Sequence, residues 1–161
     1  MVGAVCAERE GDTRVCVTVD PSGSKDLDDA VGADPVQPVL FVYIADVPAI
    51  LDALPSGASF VPKQSASIYL PGGVRSMLPK VISDNHGSLL AGQTRPAYRF
   101  GIELDADGRV ARVDMARVSV RVSHNYTYEN ARGSVWQRVT ELANRLHSAY
   151  NWCAEAPPPD P

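Results

Sequence analysis

Four aspartates, Asp20, Asp26, Asp28 and Asp29, fall within ten residues, and Lys25 is the one cation among them. Carboxylates crowded in this way repel. Each pair of unit charges about 4 Å apart costs roughly 1 kcal/mol in water, and several times more where protein lowers the effective dielectric. Something must offset that repulsion. Hard oxygen donors of this kind suit Mg²⁺ or Mn²⁺, and a pair of such ions activates water and stabilises a leaving oxygen in phosphoryl transfer. The competing explanation is an exposed acidic turn, because Asp, Ser, Gly and Pro all favour turns for local backbone reasons. It is weaker here because Asp20 closes a β-rich run, and the other three acids are expected in one tight loop ahead of a second such run. The calcium-loop spacing D-x-[DN]-x-[DN]-G with a closing Glu is absent.

The elements that must hold these acids are legible in outline. Thr13 to Val19 (TRVCVTV) is β-branched and alternating, which predicts a strand running into Asp20-Pro21-Ser22-Gly23-Ser24. Val39 to Ala45 (VLFVYIA) is a short apolar run of strand length, closed by Asp46, whose expected job is to cap that strand end. Pro48 to Pro71 is mixed, with a helical turn around Ile50 to Leu54. Tyr98 to Leu104 and Arg109 to Val122 flank Asp105-Ala106-Asp107-Gly108, which predicts a hairpin. Val135, Val139, Leu142, Leu146 and Ala149 recur at helical spacing behind Ser134 and Gln137, a capping-box pattern. The expected fold is therefore α+β, a mixed and mainly antiparallel sheet with a strand-end acidic loop and a C-terminal helix packed on it. A dimer contact through Trp136, Tyr150 and Trp152 is the less favoured role for that helix.

The whole chain sets further bounds. Its 161 residues, 45% hydrophobic and 21% charged, suit a single globular domain over 1–155, followed by a proline-rich tail over 156–161. No run approaches the roughly 20 apolar residues of a membrane span. The acidic start, with Glu8, Glu10 and Asp12, does not suit a secretory signal, so a cytoplasmic location is expected. Cys6, Cys16 and Cys153 form no C-x-x-C pair and suggest neither a disulfide framework nor structural zinc. A formal charge of −4 argues against nucleic-acid binding by this chain alone, since such affinity comes largely from Lys and Arg.

Several short blocks, in order, carry a resemblance. Thr18-Val19-Asp20-Pro21 followed by Lys25-Asp26-Leu27-Asp28-Asp29-Ala30 resembles the opening active-site motif of the ribonuclease II catalytic (RNB) domain family. Tyr43-Ile44-Ala45-Asp46-Val47 is similar to its H-I-A-D-V strand, with Tyr43 in place of the usual His. Ser67-Ile68-Tyr69-Leu70-Pro71, Ser76-Met77-Leu78-Pro79, Ser88-Leu89 and Thr127-Tyr128-Glu129 resemble later blocks in order and spacing. The family hydrolyses RNA processively from its 3′ end with Mg²⁺. The resemblance implies that Asp20, Asp26, Asp28 and Asp29 bind metal and orient water. It also implies that Tyr69 lies beside the terminal nucleotide and scissile phosphate; without it, Tyr69 reads as ordinary packing.

Departures matter as well. Family domains continue into a helical half that supplies a transition-state arginine, a glutamate contacting RNA and an aromatic clamp. No Ser-Pro-Ile-Arg-Arg-Tyr segment occurs here, Gln64 stands for the usual Arg, and His86-Gly87 replaces Leu-Cys. The cold-shock and S1-type modules that flank the family domain are missing too. Loss of such an arginine costs about 10³–10⁵ in rate, judged from arginine fingers. Arg75, Arg95 and Arg99 are the candidates to replace it, and each reads equally well as a surface residue. His86 has the chemistry of a general base, although a loop histidine is commonly idle; His124 and His147 are farther from any motif.

The leading expectation is metal-dependent phosphodiester hydrolysis at the 3′ end of single-stranded RNA, incomplete alone and completed by a partner or second copy. The second is an RNB-like fold redirected to a small molecule, a cyclisation, isomerisation or hydrolysis using Asp as acid or base and no metal. The third is a noncatalytic module, or a fragment of a longer nuclease.

Overall fold

The computed structural model describes residues 10–54, 66–71 and 73–150, and only the backbone of Glu10, Tyr69, Leu70, Val74 and Arg75. The expectations for the proline-rich tail, Gln64, Cys6, Cys153 and Trp152 lie outside those residues. Among the described residues, nine strands and two α-helices follow in the order β1 (Glu10–Asp12), β2 (Cys16–Asp20), β3 (Asp29–Ala33), β4 (Val39–Ala45), α1 (Val47–Ala53), β5 (Ile68–Leu70), β6 (Gly73–Arg75), β7 (Thr94–Leu104), β8 (Val110–Arg121), β9 (His124–Thr127) and α2 (Ser134–Tyr150). A single π-helical turn, Ile82–His86, precedes β7.

Seven strands form one mixed sheet in the order β1-β8-β7-β4-β3-β2-β9, while β5 and β6 make a separate ribbon. The β1–β8 and β2–β9 pairs are parallel and the other pairs antiparallel. The α+β architecture, the apolar strand Val39–Ala45 and the long hairpin agree with the sequence. Gly108 closes that hairpin turn at φ 80°, where a Cβ would also lie 2.7 Å from the Arg145 carbonyl oxygen.

Three elements differ from expectation. The first predicted strand begins at Cys16 rather than Thr13, because Arg14 instead turns back and bonds Asp12 through both its amide and its guanidinium. Asp29 is not in the acidic loop; it opens β3 and pairs with Ile44 of β4. The sequence Asp-Ala-Val-Gly-Ala has little intrinsic strand preference, so tertiary pairing between β2 and β4 decides it. Helix α1 starts at Val47, because the Asp46 carboxylate accepts the Ala49 amide at 3.1 Å and Pro48 fits the first turn.

Strand alternation divides the core between the two sheet faces. One face packs Cys16, Ala30, Phe41, Tyr43, Ala97, Val118 and Val120 against Leu89 from the segment before β7. The other packs Leu40, Val31 and Leu104 against Val139, Leu142 and Trp136 of α2, the expected helix-on-sheet layer, which occupies Trp136 internally. Among the described residues, no helix is long and apolar enough to cross a membrane.

A polar network is embedded in the first face. The Asp12 carboxylate, with no side-chain exposure, accepts from the Arg14 amide (2.9 Å), the Tyr43 hydroxyl (3.3 Å) and Arg99 (3.3 Å). Burial pushes its pKa up, yet the Arg14 and Arg99 bonds win and hold it below the usual carboxylate range. A depressed folded pKa contributes stability above the unfolded value of about 3.9, and that stability is lost as pH falls through the folded value. Asp12→Asn should therefore destabilise the domain at pH 7 and flatten its stability loss below about pH 4 in urea titrations. An unchanged acid limb would remove Asp12 from this role.

Candidate active site

The acids meet because four strands end on one side of the sheet. β2 closes at Asp20, β3 opens at Asp29, β4 closes at Ala45 and β9 closes at Thr127, with Asp20 opposite Thr127. Backbone bonds tie the corner together: the Ala45 amide donates to the Asp28 carbonyl at 2.8 Å, and the Tyr128 amide donates to that of Asp20 at 3.2 Å. Asp20 and Asp28 thus sit on adjoining ladders rather than on a free loop.

The loop between them is held by Ser88, a fully buried residue sixty-one positions from Leu27. Its hydroxyl oxygen accepts the Leu27 amide at 3.0 Å and lies 2.7 Å from the Lys25 carbonyl and 2.8 Å from that of Ser83. A hydroxyl has one proton, so it donates to one of those carbonyls at a time. The Leu89 amide adds a bond to the Leu27 carbonyl at 2.7 Å. Asn125 does similar work behind Asp20, bonding Thr18 Oγ1 and the Leu89 carbonyl at 3.0 Å each and accepting the Ala91 amide at 2.8 Å. Sequence inspection did not single out either residue for positioning; only the Ser88-Leu89 block hinted at the first.

Electrostatics at this corner are unfavourable to charge. Burial, then Asp29 and Asp28, push the Asp20 pKa up, against a bond from Thr18. Burial, Asp28, Asp84 and Asp20 raise Asp26. Burial and Asp28 raise Asp29. Asp84, on the π-helical turn, is therefore a fifth acid at the corner, one whose spacing gave no signal. Asp20 Oδ2 is buried and has no hydrogen-bond partner. A buried carboxylate oxygen normally has one, so this atom calls for a cation or donor.

The predicted residues are only partly gathered. Asp26 and Asp28 line a pocket of ≈ 420 Å³ with Ser24, Ser67, Met77 and Ser83. Asp29 instead lines a neighbouring cleft of ≈ 230 Å³ with Val17, Val31, Tyr128 and Trp136, on the α2 side of the sheet. Among the described residues, no three His, Cys, Asp or Glu side chains stand at ligand geometry for one metal ion. The donor set nevertheless fits a hard cation: all oxygen, mutually repelling, with one orphaned oxygen. Tyr69 lies on β5 opposite Val74.

Other candidates have different employment. Asp46 is fully buried, caps α1 and receives Arg117 Nε at 3.1 Å and Nη2 at 2.8 Å. Arg99 joins Asp12 to Asp114, and Arg95 bonds Gln93 and Asn85, so neither faces the acids as a spare cation. His86 lines a separate cleft with Ile50, Arg95 and Ser119.

A family model described as the RNB domain matches residues 9–151, and the chain belongs to that family. It is 33% identical over 157 residues to DIS3-like exonuclease 2 of Arabidopsis thaliana, covering 91% of this chain and 15% of the relative. A second Arabidopsis protein, named inactive exonuclease DIS3L2, matches with the same figures. Ribonuclease R of Helicobacter pylori is 37% identical over 123 residues, 70% of this chain and 17% of that protein. Among solved structures, Mycoplasma genitalium RNase R superposes with a TM-score of 0.68 at 27% identity, covering 91% of this chain and 25% of that one. It has also been solved with single-stranded and double-stranded RNA. This chain thus spans 15–17% of these curated relatives and 25–29% of the solved chains.

Two outcomes test the corner. Ser88→Ala leaves the buried Leu27 amide unpaired and should cost about 1–3 kcal/mol in urea denaturation; a change under about 0.5 kcal/mol would show the loop is held elsewhere. Asp29→Asn should act in the opposite direction. A raised folded pKa means the native state binds the extra proton, so stability falls as pH rises through that pKa. The amide should therefore melt higher than wild type at pH 7, and the gap should close below the unfolded carboxylate value of about 3.9.

Proposed function

We propose that this domain carries phosphodiester-hydrolysing chemistry of the ribonuclease II type, acting at the 3′ end of single-stranded RNA with Mg²⁺ or Mn²⁺. The observation that carries it is the convergence of Asp20, Asp26, Asp28 and Asp29 on one sheet end, with Asp20 Oδ2 buried and unpartnered. Family membership supports the same chemistry class. Because a relative of equal similarity is named inactive, identity alone does not decide activity, and the acids must.

In this reading Asp20, Asp26, Asp28 and Asp29 would supply the oxygen ligands of the metal. When bound, the metal supplies charge stabilisation and a more acidic water. The chain's own residues do the rest. Ser88 and Leu27 fix the loop so that Asp26 and Asp28 keep their aim into the ≈ 420 Å³ pocket. Asp20 and Asp28 receive their positions from the β9 and β4 ladders, which restrains the carboxylates against their own repulsion. Tyr69, by the family pattern, flanks the terminal nucleotide. A helical half, supplied by further sequence, a partner or a second copy, completes the arginine function that Arg95 and Arg99 do not perform here.

One observation favours a second reading. A ≈ 420 Å³ pocket lined by Asp26, whose pKa is raised by burial and its acidic neighbours, matches a small-molecule site, with Asp26 as acid or base. The two separate on metal. Nucleotide release from the 3′ end of single-stranded RNA should require Mg²⁺ and fall at least about 100-fold in Asp28→Asn, while the Mg²⁺-induced rise in melting temperature shrinks in parallel. No release at high protein concentration would contradict the nuclease reading; metal-independent turnover of a small molecule would support the second.

A further inference from the structure

Strand β9 brings a set of aromatic rings to the acidic corner. Its alternate residues face opposite sides of the sheet. Asn125 turns to the side that Leu89 seals, bonding Thr18 Oγ1 and the Leu89 carbonyl at 3.0 Å each. His124 and Tyr126 therefore stand on the α2 side, in register with Val17 and Val19 of β2. Their rings are stacked, with centroids 5.5 Å apart and planes only 8° from parallel. Val17 and Val19 line the ≈ 230 Å³ cleft together with Val31, Tyr128, Trp136 and Asp29. Four aromatic side chains thus gather about one apolar groove, and Asp29, which interacts with Asp20 and Asp28, joins that groove to the corner. Core packing does not account for all of these rings, because His124 is exposed and Tyr128 is 66% exposed.

We propose that this groove holds unpaired nucleobases of single-stranded RNA by stacking, with His124 and Tyr126 as the platform, and so positions a strand whose end reaches the acids. The destination of the strand rests on the ribonuclease reading; the stacking rests on the rings. Every base presents a π-face, so an aromatic platform takes single strands with little regard to their sequence. Charge selects the base over the phosphate. Asp29 repels a phosphate from the groove, and a chain of formal charge −4 gains little from counterion release. Stacking supplies affinity without net positive charge. Arg132, exposed and next to Gly133, whose Cβ would lie 3.8 Å from the Tyr126 hydroxyl, stands at the rim where the sugar-phosphate backbone would pass. The platform is also tied to the first acid. Tyr126 pairs with Val19, the residue before Asp20, and the Tyr128 amide donates to the Asp20 carbonyl at 3.2 Å. A base stacked on Tyr126 is therefore held by the same two strands that place Asp20.

The test measures binding by the full chain in EDTA, so that no cleavage step enters. The probe is a short single-stranded RNA carrying 2-aminopurine, whose fluorescence falls when the base stacks. Binding should be saturable and should quench the label. Tyr126→Ala and His124→Ala should each weaken it about tenfold, the order expected for the loss of one stacked base, whereas Tyr126→Phe keeps the ring and should bind like wild type. A strand of equal charge with abasic sites in place of its bases should bind at least about tenfold more weakly. Melting temperatures separate these effects from misfolding, and the exposed His124 keeps the test open should Tyr126→Ala fail to fold. Wild-type affinity in folded His124→Ala, equal binding of the abasic strand, or no quenching at any protein concentration would overturn the proposal. The two readings fail separately. Quenching in EDTA without nucleotide release in Mg²⁺ removes the nuclease reading and leaves the groove, whereas release without quenching removes the groove alone.

Discussion

Everything at the acidic corner rests on restraining like charges that would otherwise move apart. Three of the four aspartates have raised pKa values, each partly through its acidic neighbours, and Asp84 adds to the burden on Asp26. The restraint is supplied mostly by uncharged groups. The Ser88 hydroxyl, the Leu27 and Leu89 amides and the strand ladders at Asp20 and Asp28 hold the backbone and not the carboxylates. A neutral scaffold around repelling acids preserves their appetite for an external cation, whereas a salt bridge would satisfy it from within. The contrast with Asp12 and Asp46 is direct. Both are buried acids, both are paired with arginines, and neither belongs to the corner.

The sheet's connectivity explains why this corner lies where it does. Antiparallel β3 and β4 bring the start of one strand and the end of the other to the same side, and the parallel β2–β9 pair adds two more ends. Core packing on both faces then fixes the strands: Leu89 seals one side, and α2 seals the other through Val139 and Leu142. Leu89 follows Ser88 directly, so the residue that packs the core also places the hydroxyl that pins the acidic loop. Loss of core packing there would reach the acids at once.

Strong local signals were readable in the sequence, and long-range ones were not. The run Val39–Ala45 and the hairpin closed by Gly108 had uninterrupted apolar or turn patterns, and both formed as expected. The helix from Ser134 carried a full helical stripe and packs on the sheet. By contrast β3, with Asp, Gly and two Ala in five residues, becomes a strand only because β2 and β4 flank it. That pairing moved Asp29 out of the expected loop and into the cleft on the α2 side, while it stays close enough to Asp20 and Asp28 to interact with both. The positioning bonds of Ser88 and Asn125 were not legible for the same reason, since they reach partners 61 and 107 positions away. The clustering of the acids was legible; their distribution over two clefts was not.

The central proposal is that the corner's carboxylates, Asp20 Oδ2 unpartnered among them, receive a divalent cation. Titrating the full chain with Mn²⁺ and following free ion by electron paramagnetic resonance tests it without any substrate. The account predicts saturable binding that weakens as pH falls through the raised carboxylate pKa values and is largely lost in Asp20→Asn, while Asp46→Asn leaves it unchanged. Binding that is absent at pH 7, or that survives Asp20→Asn, would contradict it.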